Sequence, residues 1–351
     1  MMATPEAEAR FRATLRGRLL ELDGLRGVAM LWVLLYHVWF LQPRGWIERI
    51  LYIVPNLGMM GLEFFFVMSG FLITGILLRT RDSLEYYRSF YGRRLVRTLP
   101  LYFAFLLLFY HIIPESPYLR WMLHWFKDPF GFQKSELWHW FFLSNIYYAR
   151  LGEFDSWFLS LTWSLAVEEQ FYLTWPFIVA LLGPKGLTRF CIGTIILSST
   201  VRCHMLLAGA PVISAYVFTF ARLDGIALGC LLAIWAHAPD GLSRLMRCRR
   251  WLAWVGGVVM GGGVAWTLFL FPVDESGVQA SSRFLADRGF LGVGLLGTSL
   301  VSGAIVCHAV LGDGRRMFHR LMRSEFLVFI AKHSYAMYLF HAPCHHLVAI
   351  F

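Results

Sequence analysis

Apolar and polar positions fall in long blocks along this chain, with runs of largely apolar residues separated by short polar segments rich in arginine. A helix rises ~1.5 Å per residue and needs ~20 apolar residues to cross the hydrocarbon core. On that measure the pattern predicts spans near 22–42, 57–79, 97–115, 158–182, 188–208, 212–237, 250–272, 288–311 and 326–351. The expected fold class is therefore all-α, a polytopic transmembrane helix bundle of about nine to ten membrane helices. The tenth helix is counted if the stretch 112–157 holds a crossing, since Ser135–Tyr148 has room for a partial span among aromatics such as Trp121, Trp125, Trp138, Trp140 and Tyr147. The Arg-rich segments all fall on one side of this arrangement, which puts the N-terminus in the cytoplasm. Two parts are expected: residues 1–21, a cytoplasmic amphipathic N-terminus, and residues 22–351, a single membrane domain with no repeat and no appended soluble domain.

Composition agrees with this reading. The 351 residues are 58% hydrophobic, 17% aromatic and only 15% charged, with a mean hydropathy of +0.57, which excludes an ordinary soluble domain. The net charge of +10 by itself suggests nucleic acid. The arginines, however, gather beside apolar spans, at Arg79–Arg97, Arg244–Arg250 and Arg315–Arg323, as the positive-inside rule requires. The expected partner is membrane lipid, not nucleic acid, with part of the charge free to meet anionic headgroups or a polyphosphate ligand. Six scattered cysteines have no C-x-x-C spacing, so no disulfide framework, zinc site or other metal is expected. No short apolar segment with a cleavage site follows Met1–Arg18, so the first span is expected to be retained.

Lipid makes ionisable side chains costly unless they pair, meet water or do chemistry, so those inside the spans are the candidates. Asp23 and Arg26 stand at the entry of the first span and His37 stands eleven residues beyond Arg26, ~16 Å along a helix. His37 reads either as a base or as a histidine hydrogen-bonded between helices, and Arg26 either as a site residue or as a snorkelling charge. Glu63 enters on the antiparallel second span at the depth of His37, where it is expected to orient the imidazole; the bland reading is a neutralised packing carboxyl. Gly58, Gly61, Ser69 and Gly70 are small residues suited to close helix packing. Arg94 and Arg97, three apart on one helix face next to Arg93, can hold a phosphate or simply mark a cytoplasmic loop. Glu168 and Glu169, about a hundred degrees apart on a helix, demand that at least one line a wet cavity, a salt bridge to Arg222 or to the Arg26 region being the alternative for the other. Arg222 and Asp224 are expected to compensate each other, and His341 falls in the outer half of the last span.

The ordered set Leu22–Gly27 with its Arg-x10-His spacing to His37, Phe64–Ile73, Arg93–Arg97 before Pro100, Trp163–Tyr172, Arg222–Asp224 and Ser334–Pro343 resembles the membrane acyltransferase-3 family. Those are integral-membrane O-acyltransferases that modify bacterial polysaccharides, peptidoglycan and some antibiotics. The resemblance covers nearly the whole chain. It implies transfer of an acyl group, most often acetyl, from acyl-CoA (acetyl-CoA) to a hydroxyl of a carbohydrate or small-molecule acceptor, by a multi-pass protein of the bacterial inner membrane. It maps Arg26 and His37 onto catalysis and Arg94 and Arg97 onto the donor phosphates. Glu63, Glu168 and Glu169 are expected to join the catalytic set, Arg93 the phosphate set, and Asp23, Ser69, Trp163, Asp224 and His341 the substrate pocket. The chain departs from the family in having Glu63 where Asp is commoner, and in nine predicted helices against the usual ten. A transporter or flippase of a sugar- or lipid-linked substrate is the alternative, since charges at several depths also suit a substrate path.

Overall fold

The computed structural model describes residues 4–38, 57–116, 134–270, 287–312 and 317–350. Among them the protein is helical, with no strand. Helix α1 (Pro5–Arg16) is capped by the Thr4 hydroxyl, which accepts from the Ala7 N–H. Its buried Phe11 and Leu15 dock it on the bundle. Its Glu8 carboxylate accepts the N–H groups of Leu242 and Ser243 at 2.9 and 3.0 Å, thereby capping a second helix from outside. The principal bundle helices are α2 (Leu20–Val38), α3 (Gly61–Thr80), α4 (Tyr86–Glu115, with a π turn at Leu108–Ile112), α5 (Glu136–Trp140), α6 (Ser144–Leu151), α7 (Thr162–Leu181), α8 (Pro184–Leu207), α9 (Leu223–Ala236), α10 (Gly241–Leu270), α11 (Phe290–Leu311) and α12 (Glu325–Ile350).

Helices α3, α4, α8 and α11 are long and apolar enough to cross a membrane, four among the described residues against the nine to ten expected. Two of the other expected spans fall short for visible reasons: α2 carries Glu21, Asp23 and Arg26, and α9 has only 14 residues. The expected partial span at Ser135–Tyr148 is instead α5 and α6, two short helices split at Phe142. Phe142 holds the left-handed φ of 54°, unusual for a side chain of its size. Its ring stacks on Tyr102, with centroids 4.4 Å apart, and its carbonyl accepts from Gln170 at 2.8 Å. Below it His139, fully buried, donates from Nδ1 to the Ser135 carbonyl and accepts at Nε2 from the Tyr148 hydroxyl. Burial pushes its pKa down to about 4, so it is a neutral structural group. Trp121 and Trp125 lie outside the described residues.

Small residues let α3 and α9 touch backbone to backbone. A Cβ on Gly70 would stand 2.0 Å from the Ile226 carbonyl oxygen, and one on Gly229 2.0 Å from that of Val67. Two buried ion pairs tie α9 to its neighbours, one to α3 and one to α8. Arg222 donates to Glu63, whose other oxygen accepts from Ser299 at 2.7 Å, and Arg202 donates to Asp224 at 2.7 Å and to the Ala221 carbonyl at 2.6 Å. Arg202, Arg222, Glu63 and Asp224 are each no more than 1% exposed. Arg222 and Asp224, expected to compensate each other, thus each form their ion pair with a residue of another helix: Arg222, just outside the N-terminus of α9, with Glu63 of α3, and Asp224, in the first turn of α9, with Arg202 of α8. Nor does Glu63 serve His37. Gly61 is the residue of α3 that faces α2, with a Cβ there 2.9 Å from Val33 Cγ2; two residues further turns Glu63 about 200° to the opposite side. Trp163 packs its ring 5.5 Å from the Arg222 guanidinium, as do Phe66 and, at 5.0 Å, Tyr216.

Glu63→Ala should leave Arg222 buried and uncompensated, lowering stability by about 3–5 kcal/mol. Thermal unfolding of the detergent-solubilised protein reads this, and a wild-type midpoint would contradict it. Gly70→Val should force α3 from α9 and cost about 1–3 kcal/mol in the same assay.

Candidate active site

Five helices converge on a cavity of about 290 Å³. Helix α2 contributes Asp23 and Arg26, α3 Ser69 among apolar side chains, α4 Arg94, Arg97 and Thr98, α7 Ser164, Glu168, Glu169 and Tyr172, and α12 Ser334, Tyr335 and Tyr338. Three arginines and three carboxylates thus face one space in a largely apolar bundle, the arrangement expected of a wet interior site rather than of lipid-facing helices.

The helices are held in register by side chains that reach neighbouring backbone. Tyr86 and Tyr91 of α4 donate to the carbonyls of Pro176 and Leu173 on α7 at 3.0 and 2.8 Å. Tyr91, Arg94 and Thr98 follow one another at helical spacing, so fixing Tyr91 turns Arg94 and Thr98 towards α7 and α12. Tyr335 of α12 donates to the Thr98 carbonyl at 3.1 Å, and Tyr338 exchanges a 2.7 Å hydrogen bond with Ser164.

Within the cavity Tyr172 is the hub. Its hydroxyl donates to Glu168 at 3.0 Å and, its one proton spent there, accepts from Ser69 at 2.5 Å. Its ring carries the Arg94 guanidinium 4.1 Å from the centroid. Glu168 and Glu169 both line the cavity together with Arg26 and Arg94, although they lie about a hundred degrees apart on their helix; neither bonds Arg222, whose carboxylate partner is Glu63. Asp23 lies between two cations, 2.7 Å from Arg18 and 3.6 Å from Arg26.

His37 and His341 stand apart from the residues lining this space. Their rings pack edge to face with centroids 4.5 Å apart. His37 Nδ1 donates to the Val33 carbonyl at 2.8 Å and His341 Nδ1 to the Tyr338 carbonyl at 2.8 Å. With Nδ1 carrying the proton, Nε2 is the basic nitrogen of each neutral ring. Tyr338 joins the two parts, its hydroxyl bonded to Ser164 on the cavity wall and its carbonyl holding His341.

Of the residues expected from sequence, Asp23, Arg26, Ser69, Arg94, Arg97, Glu168 and Glu169 come together around the cavity. Arg93 is exposed and off the lining, one position round the helix from Arg94. Glu63, Trp163 and Asp224 belong instead to the buried ion-pair region. Sequence reasoning did not single out Tyr172, Thr98, Tyr335 or Tyr338, or the buried Arg202. Tyr172 was recoverable as the position four residues after Glu168, on the same helix face, and Arg202 as an arginine inside an apolar run.

Residues 19–350 match a family described as an acyltransferase domain. Among curated proteins the chain is similar to YrhL of Bacillus subtilis (30% identical over 343 residues, 92% of this chain and 48% of that protein). It is also similar to the peptidoglycan O-acetyltransferase OatA of Listeria monocytogenes (28% over 338 residues, 92% and 49%) and the O-acetyltransferase OatA of Staphylococcus aureus (28% over 340 residues, 92% and 50%). The chain thus spans about half the length of the curated relatives it matches. No solved structure matches it. With a helical bundle holding several membrane-length helices and a family match over nearly its whole length, this multi-pass integral membrane protein belongs to the acyltransferase-3 family.

Proposed function

We propose that the protein transfers an acyl group, acetyl in the first instance, from cytoplasmic acyl-CoA to a hydroxyl of a carbohydrate acceptor, and that sugars of the kind named for its peptidoglycan-modifying relative are the first acceptors to try. The observation that carries this reading is the cavity in which Arg26, Arg94 and Arg97 meet Glu168 and Glu169 inside a bundle of the acyltransferase family. Arg94 and Arg97 offer forked donors for a diphosphate on the side where the basic loops lie, and the largely apolar walls suit the pantetheine arm. The arm points along α2 from Arg26 towards His37.

In this reading the acceptor oxygen attacks the thioester carbonyl while His37 Nε2 takes its proton. The Val33 carbonyl fixes the His37 tautomer by holding Nδ1–H, as an orienting group does for a catalytic histidine. Collapse of the tetrahedral intermediate breaks the C–S bond, and the departing thiolate recovers the proton from the imidazolium, leaving an ester and free CoA. Glu168, tied to Tyr172 and facing Arg94 and Arg26, holds the donor-side arginines rather than the acceptor. His341, packed on the His37 ring, keeps that ring in place.

His37→Ala should lower transfer of radiolabel from acetyl-CoA into a membrane carbohydrate fraction by about 10²–10⁴-fold with normal abundance in membranes; unchanged transfer removes His37 from the mechanism. Arg94→Ala combined with Arg97→Ala should raise the donor KM by at least about tenfold, and an unaltered KM refutes the phosphate assignment. Movement of unmodified substrate without covalent label would favour a transporter.

A further inference from the structure

A second chamber, of about 190 Å³, adjoins the active-site cavity, and Asp23, Leu72 and Ile76 line both. Its remaining polar groups are Arg18, Arg79 and His237. The mechanism uses none of these three. They come from different parts of the chain: the segment after α1, the cytoplasmic end of α3 and the residue that closes α9.

The chamber has the features of an anion site. Arg79 is tethered by one Nη1 bond to the Leu15 carbonyl at 3.1 Å, which points the guanidinium and leaves further N–H groups for a ligand. His237 donates from Nδ1 to the Ala233 carbonyl at 2.9 Å, so its orientation is fixed too, while its Nε2 is buried with no hydrogen-bond partner. A buried polar atom without a partner is uncommon and calls for a ligand or water. Both groups converge on Gly75: a Cβ there would stand 3.3 Å from His237 Cε1 and 3.4 Å from Arg79 Nη1. The space between them exists because that position has no side chain. Arg18 stands opposite, held by Asp23 at 2.7 Å, so two arginines and one carboxylate leave a net positive chamber.

The size of the proposed donor says what this charge is for. Pockets for drug-sized ligands run to about 300–1,000 Å³, and a whole coenzyme A thioester exceeds the active-site cavity of about 290 Å³. Its nucleotide end must lie beyond Arg94 and Arg97. Coenzyme A carries two separate anionic centres, the diphosphate and the phosphomonoester on the ribose. Resting on the acyl-CoA reading above, we propose that Arg18, Arg79 and His237 form a second anion subsite, which takes the ribose 3′-phosphate while Arg94 and Arg97 hold the diphosphate. A phosphomonoester there accepts from the Arg79 fork; burial and the Arg79 charge disfavour protonation of His237, the ligand's negative charge offsets both, and the ring then takes up a proton so that Nε2 donates to the phosphate. The same chemistry would suit a lipid headgroup phosphate, and the experiment separates the two.

Binding of acetyl-CoA and of 3′-dephospho-acetyl-CoA is measured with the full chain in nanodiscs of phosphatidylcholine. The wild type should bind acetyl-CoA about tenfold more tightly, the scale of a charge-assisted hydrogen-bond pair. Arg79→Gln with His237→Gln should reduce that preference to near unity while leaving the dephospho compound's Kd unchanged, which a misfolded variant would not do. Arg94→Ala with Arg97→Ala should weaken both compounds and keep their ratio. Equal wild-type binding of the two overturns the subsite alone, whereas binding of neither overturns the acyl-CoA reading with it. A preference retained in phosphatidylglycerol nanodiscs supports the donor phosphate; a preference lost there assigns the chamber to lipid headgroups and overturns the proposal.

Discussion

The cost of placing charge in a medium without water governs this molecule. A bundle helix that carries a charged side chain must give it a counter-charge or a wet space, and the protein uses both solutions in separate regions. Arg222 with Glu63 and Arg202 with Asp224 are sealed in the core, where each charge has a partner and three aromatic rings fill the space around Arg222. Arg26, Arg94, Arg97, Glu168 and Glu169 instead share a cavity. The first group fixes how α3, α8, α9 and α11 sit, and the second is available for chemistry.

This division separates residues that look alike in the sequence. Glu63 and Glu168 are both carboxylates within apolar helices, yet one has both oxygens committed to Arg222 and Ser299 and the other meets a tyrosine hydroxyl at a cavity wall. The rotation of α3 about its axis decides which it is. Gly61 must face α2 for the two helices to approach, and Glu63 is then carried away from His37. The aromatic residues are sorted likewise. Trp163 shields Arg222, whereas Tyr172, nine positions along the same helix, ties Glu168, Ser69 and Arg94 together.

Tyrosine hydroxyls give the site its shape. Tyr86, Tyr91 and Tyr335 each reach a backbone carbonyl on another helix, and Tyr338 that of Leu161 just before α7. Such bonds gain strength where water is scarce. They lock α4, α7 and α12 in the rotation that aims Arg94, Glu168 and Tyr338 inward, and His341, hung from the Tyr338 carbonyl, brings α12 to the His37 ring.

The sequence by itself determined the class of the molecule and most of the cavity's charged members. Apolar runs of membrane length follow from composition, and an ionisable residue inside such a run announces itself wherever it points, which is why Asp23, Arg26, Arg94, Arg97, Glu168 and Glu169 were identifiable in advance. Partner choice was not: the pairing of Glu63 with Arg222, of Asp224 with Arg202, and the exposure of Arg93 depend on helix rotation and on which helices become neighbours. The split of the 135–148 stretch at Phe142 rests on Tyr102 and Gln170 from other helices. Periodicity tells a helix from a loop, but a bundle's contacts join residues more than a hundred positions apart. Only the packed structure fixes which side of each helix meets which neighbour.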